Sequence, residues 1–294
     1  MFKNKNEIGE KKEKQWWLAY FLLLPSFVLF AIFSYYPLIK TVVNSFAVTD
    51  QVGHFIKWAG FSNWQRVLED TNFGKIMSQT FVFAILNLLL TFFPAMFLAL
   101  LSTKKQKGAK IYQTLYALPM VIAAASTAAV WKFMLNTDGL INQWFGLDVS
   151  WLGSTSTALT MVAIITSWSH IAGRYIYLMV GFRSVSDDLI EASVIDGAGW
   201  WTRMVKIVIP MASPQIFFVL FTSIVSAFKT FTQIKLITNG GPAESTNILM
   251  FWQYQKFIFG QISSAACIAL ILFIVIFIAT RIQFAFEKKM VFYQ

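Results

Sequence analysis

This 294-residue sequence predicts an all-α polytopic membrane protein with six transmembrane helices, on three observations. Hydrophobic residues make up 57% of the chain and charged residues 13%, too few polar side chains to cover a soluble globule of this size. Six apolar segments reach the roughly 20 helical residues demanded by a hydrocarbon core about 30 Å thick. The net charge of +10 is gathered in short segments beside those spans, which reports topology and not nucleic-acid binding. Thirty Phe and 11 Trp suit a lipid-facing surface with aromatic belts at the headgroups.

In chain order, residues 1–15 form a lysine-rich tail and 16–39 the first span. That span is too long for a secretory signal, has no convincing small-residue cleavage site and contains Pro25, so it is a retained helix. Residues 40–75 form an outer segment in which Phe61, Trp64 and Leu68 recur at helical spacing, as in a short interfacial helix. Residues 76–282 form a core of five spans at 76–102, 111–135, 158–181, 211–234 and 262–282, and 283–294 form a second tail. Only the fourth and fifth spans are diluted by polar residues. Lys and Arg number fifteen in the segments on the side of the two termini and six on the other, so both termini face the cytoplasm. One cysteine, Cys267, allows no intrachain disulfide and no cysteine-rich metal site.

By this parity the longest cytoplasmic loop holds EASVIDGAGWWTRMVKIVIPMASP, from Glu191 to Pro214. Ser186 or Asp187 can cap a short helix reaching Asp196, with Asp188 and Glu191 near its positive end. Gly197, Ala198 and Gly199 offer a tight bend, Trp200 and Trp201 suit the membrane boundary, and Pro210 and Pro214 open the fifth span. Composition alone describes an ordinary interfacial helix with a glycine stop. The spacing of Glu191, Ala192, Asp196, Gly197, Ala198, Ile207, Pro210 and Pro214 goes further and resembles the EAA motif of bacterial ABC importer permeases. Ser193 replaces the motif's second alanine, and Met204 stands where phenylalanine is common. TNGGP at Thr238 to Pro242, DGLIN at Asp138 to Asn142, Leu118–Pro119 and the closing FEKKMVFYQ resemble the carbohydrate-uptake, maltose-permease-like branch of that family.

The resemblance implies a type I ABC importer permease architecture, with 76–282 as permease core and a coupling helix at about 187–200. It implies a bacterial cytoplasmic membrane protein that works with a second homologous permease subunit, two copies of a cytoplasmic ABC ATPase, an extracytoplasmic solute-binding protein and a carbohydrate substrate, and that meets no nucleic acid. Glu191, Ala192, Asp196, Gly197 and Ala198 would meet the ATPase, although Asp196 serves equally as a local helix-end hydrogen bonder. Gly240, Gly241 and Pro242 would lie where the binding protein docks. The chain lacks GxxxxGK[ST], HExxH and GxSxG, so it is not expected to be an enzyme or to bind a cofactor. ATP and Mg would be used by the partner ATPase.

Polar groups within spans face cavities or other helices. The fourth span carries Ser167, Trp168, Ser169, His170 and Arg174, and the fifth carries Thr222, Ser223, Ser226, Lys229, Thr230 and Gln233. Alignment with the maltose-type permease puts Ser169, His170, Gly173, Ser223, Ala227 and Thr230 at sugar-facing positions. The competing reading is that Ser and Thr bond their own backbone and His170 a local partner. Trp168 either stacks on a sugar or packs in the core, Lys132 snorkels outward, and Asn87 is interhelical glue. Within the same machinery glycerol-3-phosphate is the rival cargo, with Arg174 or Lys229 drawing the phosphate. An ion-coupled secondary transporter, the alternative of a different class, should carry inverted repeats and intramembrane acids, and neither is visible here.

Overall fold

The computed structural model describes residues 5–103 and 107–292. Residues 1–4, the lysine-bearing stretch 104–106 and residues 293–294, which enter the charge tally and the closing motif, lie outside the described residues. The described chain is mostly helical. Helix α1 (Lys5–Phe30) runs through a π turn at Ala31–Tyr35 into α2 (Tyr36–Ser45). A two-stranded antiparallel ribbon follows, β1 (Ala47–Thr49) against β2 (Phe55–Trp58), and then α3 (Ser62–Leu68), the short helix expected before the second span. Asn63, at the start of α3, donates to the carbonyls of Ser45 (3.2 Å) and Ala47 (2.8 Å), tying this cap to the end of α2.

The bundle comprises α4 (Phe73–Leu101), α5 (Ala109–Ala117), α6 (Ala124–Met134), α7 (Leu140–Phe145) and α8 (Ala158–Arg183), then α9 (Asp187–Ile195), α10 (Trp200–Arg203) and α11 (Ile209–Met211). It closes with α12 (Ser213–Phe228), α13 (Thr232–Ile237), α14 (Leu249–Ile258), α15 (Ile262–Ala285) and α16 (Glu287–Met290).

Four helical stretches among the described residues are long and apolar enough to cross a bilayer: Trp17–Ser45, Phe73–Leu101, Ser213–Ile237 and Ile262–Lys289. The third expected span differs from a straight helix. Its two parts, Ala109–Val121 and Ala124–Met134, meet at 98°. Pro119 supplies no amide hydrogen, the chain tightens into a 3₁₀ turn at Leu118–Val121, and Ile122 and Ala123 are extended, so no helical ladder crosses the junction. Helix α8 has the length for a fourth span, 26 residues, but its polar residues keep it out of the strongly apolar set. The fifth span is also interrupted, between α12 and α13 at residues 229–231. Each of the two π turns, Ala31–Tyr35 and Met204–Val208, ends two residues before a proline, Pro37 and Pro210, whose missing donor interrupts the regular ladder there.

Helices α4 and α8 form the most extensive pair. Asn87 Nδ2 donates to Ser167 Oγ at 3.1 Å between them, the interhelical bond expected of Asn87. One core gathers Ala95, Ala99, Leu178, Met179, Met204 and Val208 at the end that carries α9. A second packs Ala84, Phe228, Leu249, Cys267 and Ile268, and a third Phe83, Val162, Ile165, Ile234, Ile248 and Phe251. Trp168 meets Trp131 edge to face with centroids 5.9 Å apart, a packing contact. The first span stands apart, for none of its membrane-length window is buried in this chain and only α2 packs on α15.

DGLIN proves to be a clasp on the end of α6. Asn142 donates to the carbonyls of Thr137 and Val149 (2.9 Å each) and accepts from Trp151 Nε1 at 2.7 Å. A Cβ on Gly139 would lie 2.5–2.8 Å from three backbone oxygens, so no other residue fits there. Asn142→Ala removes three part-buried hydrogen bonds and is expected to lower stability by about 1–3 kcal/mol, read as an earlier thermal transition of the purified protein in nanodiscs.

Candidate functional site

Helix α9 is built by its termini. Ser186 Oγ accepts from the Asp188 amide at 3.2 Å, and Asp187 and Asp188 occupy the first turn, where the helix dipole favours negative charge. At the other end the Gly197 amide bonds Val194 O at 3.0 Å and the Ala198 amide bonds Ser193 O at 2.9 Å, with Gly197 at φ +76°. This is a Schellman stop, which uses the left-handed conformation glycine takes without a Cβ penalty. Ile190 and Trp200 pack onto the adjoining core, and Ser193 is buried with its hydroxyl on Ile190 O at 2.6 Å. The residue that departs from the motif thus faces inward.

The opposite face is open. Glu191, Ala192, Asp196 and Gly197 are exposed and Ala198 half-buried, beside Val194 and Ile195, the latter 86% exposed. Neither Glu191 nor Asp196 makes a side-chain hydrogen bond or ion pair among the described residues. Asp196 therefore acts at the helix end through its backbone amide, bonded to Ala192 O at 3.0 Å, and its carboxylate points a charge at a terminus whose dipole disfavours it.

A polar cleft of about 450 Å³ lies between α8 and the α12–α13 break. His170 and Thr230 line it together with Ser226, Lys229, Thr232 and Gln233. The other four path candidates sit differently. Ser223 is 2% exposed, bonds Val219 O at 2.7 Å and accepts from Arg174 Nε at 3.3 Å. Ala227 is packed in the second core, and Ser169 donates to Ile165 O of its own helix at 3.3 Å. Gly173 faces the break in the third span, with Met120 Sδ 4.0 Å from where its Cβ would stand. Arg174 Nη2 also donates to Thr222 O and Ser226 Oγ, which makes it a clamp from α8 onto α12. The sequence marked Arg174 as polar but held no sign of that clamp, because its partners lie 48 to 52 residues away.

TNGGP forms a self-bonded loop. Asn239, Gly240, Ala243 and Glu244 all have positive φ, and the Gly241–Pro242 peptide is cis. Thr246 Oγ1 bonds Thr238 Oγ1 at 2.7 Å and Gly241 O at 2.9 Å, and the Thr246 amide bonds Gly240 O at 3.1 Å. Asn247 Nδ2 donates to Glu244 and Gln255. Gly240 is buried against Phe251, whereas Gly241 and Pro242 are half-buried and Ala243 and Glu244 exposed. Thr246, Asn247 and Phe251 hold the loop and were not singled out in the sequence, where they carry only an ordinary polar-to-apolar transition.

Residues 15–292 match the family model described as binding-protein-dependent transport system inner membrane component. The sn-glycerol-3-phosphate transport system permease protein UgpA of Yersinia pestis is 31% identical over 284 residues, covering 95% of this chain and 96% of its own. The protein of that name from Brucella suis biovar 1 is 31% identical over 282 residues, covering 94% and 96%. Among solved structures, a chain of a bacterial alginate ABC transporter in complex with an alginate pentasaccharide-bound periplasmic protein superposes with TM-score 0.82 at 22% identity, covering 95% of this chain and 96% of that one. A chain of an amino acid ABC transporter with histidines gives 0.55 at 16% identity, covering 78% and 98%. At these identities the structural likeness concerns the fold.

Two left-handed glycines separate conformation from space. A Cβ at Gly197 meets nothing within 4 Å, while one at Gly240 would lie 2.7 Å from the Phe251 ring. Gly197→Ala should cost about 1 kcal/mol and Gly240→Ala about 2–4 kcal/mol, the added overlap making the difference between their thermal transitions.

Proposed function

Because this chain belongs to the family of binding-protein-dependent transport system inner membrane components, and is a carbohydrate-uptake ABC importer permease, we propose that it forms half of the translocation path of an ATP-driven importer for a sugar or oligosaccharide. Its members are transport permeases, and in the proposed assembly this chain is joined by a second homologous permease, two copies of a cytoplasmic ABC ATPase and an extracytoplasmic solute-binding protein. ATP and Mg are consumed on the ATPase. The chain crosses the bacterial cytoplasmic membrane six times with both termini inside. The bent pair is its third span and α8 its fourth, and the charge asymmetry supports this orientation. Helix α9 then lies on the cytoplasmic side and the Thr238–Asn247 loop outside.

The observation that carries the reading is the build of α9. A capped, glycine-stopped helix turns one face into the bundle core through Ile190 and Ser193 and leaves Glu191, Ala192, Val194, Ile195 and Asp196 without partners. Small and apolar side chains allow close docking in a groove, and two unpartnered carboxylates call for basic groups on the ATPase. Nucleotide-driven closure of the ATPases would push α9, and with it the core at the ends of α4 and α8. Access would alternate across the interface with the second permease.

The polar cleft is the candidate path, with His170 and Thr230 exposed to the solute. Ser169, Gly173, Ser223 and Ala227 are near it as support, and Gly240, Gly241 and Pro242 belong to the surface offered to the binding protein. A solute of the glycerol-3-phosphate kind is the second reading, favoured by the names of the 31% identical relatives and by Lys229 in the cleft.

In the fully assembled transporter, Glu191→Lys is expected to lower ATP-driven uptake at least about tenfold while membrane insertion stays normal, since a reversed charge in a charge-paired contact costs several kcal/mol. Co-purification of the ATPase and ATP turnover stimulated by the loaded binding protein are measured together. Normal stimulation in an assembled Glu191→Lys, Gly197→Val double variant would defeat the coupling assignment.

A further inference from the structure

Arg174 is the one arginine within the fourth and fifth expected spans, and the hydrogen bonds of its guanidinium among the described residues all go to α12. Nε donates to Ser223 Oγ at 3.3 Å, and Nη2 donates to Thr222 O at 3.4 Å and to Ser226 Oγ. The two serines have already given their protons to their own helix, Ser223 to Val219 O at 2.7 Å and Ser226 to Ser223 O at 3.0 Å. Toward α8 their oxygens are therefore acceptors only, and a guanidinium, which donates and cannot accept, is their complement. These acceptors sit in the last two turns of α12, whose negative end favours a cation.

Ser226 is the point at which this clamp meets the cleft. Its carbonyl accepts from the Lys229 amide at 3.2 Å and from Thr230 Oγ1 at 3.3 Å, so the turn that opens the α12–α13 break is built on it. Thr222, Ser226 and Thr230, spaced four residues apart, line the cleft from this side, and His170, one turn before Arg174, lines it from α8. Arg174 is not part of that lining, yet it joins the wall carrying Thr230 to the wall carrying His170.

Adhesion alone does not call for an arginine. A cation within a span is costly, and an apolar side chain of similar length holds two helices together by contact. Three directed bonds to fixed acceptors add register, because they define where α12 stands along α8. We propose that Arg174 is a positioning residue for solute recognition, which sets the spacing of His170 and Thr230 across the cleft by holding Ser226 and the turn built on it. It acts through α12 and makes no contact with the solute, so its effect does not depend on the solute's charge. The proposal rests on the reading of the chain as an importer permease and adds to it the residue that shapes the cleft.

The test uses the complete importer, with this chain in a Cys267→Ala background. Spin labels at Val180 of α8 and Leu236 of α13 report the distance across the break in nanodiscs. Arg174→Met keeps the length of the side chain and removes the donors, and is expected to shift or broaden that distance by about 2 Å or more. In proteoliposomes, ATP-driven uptake is measured with maltotriose and with sn-glycerol-3-phosphate, and KM is read for each probe that the wild type transports. Arg174→Met should raise KM about tenfold or more, with kcat within about threefold. Ser226→Ala should raise KM in the same direction, and the double variant no further than the larger single effect, because both break one link. Should Arg174→Met fail to assemble, Ser226→Ala, which removes a single hydroxyl, carries both readouts. A lowered thermal transition with KM unchanged is the mark of a merely structural clamp and overturns the proposal, as do additive effects of the two variants or an unchanged distance. Uptake of neither probe by the wild type counts against the importer reading instead, while the distance measurement, which needs no solute, still decides the clamp.

Discussion

Inside a bilayer no water can bond a free amide or carbonyl, so a chain that crosses it must satisfy its own backbone, and irregular stretches survive only where protein or a polar cavity covers them. The long regular helices here, Phe73–Leu101 and Ile262–Lys289 above all, obey the first half of that rule. The interruptions obey the second. The bend at Leu118–Ala123 lies against α8 opposite Gly173, and the break at residues 229–231 forms one wall of the polar cleft. Prolines set part of this pattern by withholding a donor, as at Pro37, Pro119 and Pro210. The bend in the third span and the break in the fifth thus lie where freed groups meet protein or the cleft, whereas the π turn at Ala31–Tyr35 lies in the exposed first span.

Lipid supplies no hydrophobic drive between helices, so the bundle is held by close approach and by polar contacts. At Gly181 a Cβ would come within 2.6 Å of Gln215 Cβ, which brings α8 and the start of α12 together. Asn87 with Ser167, and Arg174 with Ser223 and Ser226, fix the pairings farther along. Tyr175 Oη bonds Ser102 Oγ at 3.0 Å and anchors the end of α4 beside the core that receives Ile190 and Trp200. Helix α9 is therefore fastened to the same core that closes the ends of α4 and α8. Its open face is thus joined to the helices α4 and α8 through packed side chains. The C-terminal end joins this region as well, with the Phe292 amide on Ser213 Oγ at 2.8 Å and Gln283 Nε2 on Phe217 O at 3.2 Å.

The first span stands in contrast. Phe21, Phe33 and their neighbours expose their apolar side chains along its whole membrane-length window. Only its last turns are tied down, where Ser263 Oγ bonds Ala47 O at 2.7 Å and Asn63 holds the carbonyls of Ser45 and Ala47. A helix fixed at one end and apolar all round is stable only against lipid or another protein.

By itself the sequence determined the class and the local chemistry. Runs of apolar residues of membrane length, lysines at their flanks, the Ser186 cap, the glycine stop after α9 and the helix at Trp64 follow from interactions within a few residues, and so are written in the order of the chain. The outward residues of α9, Glu191, Ala192, Asp196 and Gly197, were marked in the sequence by their resemblance to the EAA motif, while their exposure is a result of the fold. Tertiary structure alone decided what distant residues do to one another. Pro119 announced a disturbance, but whether it would kink the span or fold it through 98° depended on the surface of α8 that receives it. Six residues of two helices were equal candidates for the path by family resemblance, and only packing separated His170 and Thr230, on the cleft, from Ser223 beneath Arg174 and Ala227 in the core. DGLIN and TNGGP were visible as motifs, yet their work is to bond and pack across loops through Asn142, Thr246 and Gly240. Those partners are brought together by the closed bundle, and burial is a property of the whole fold that no single segment of sequence contains.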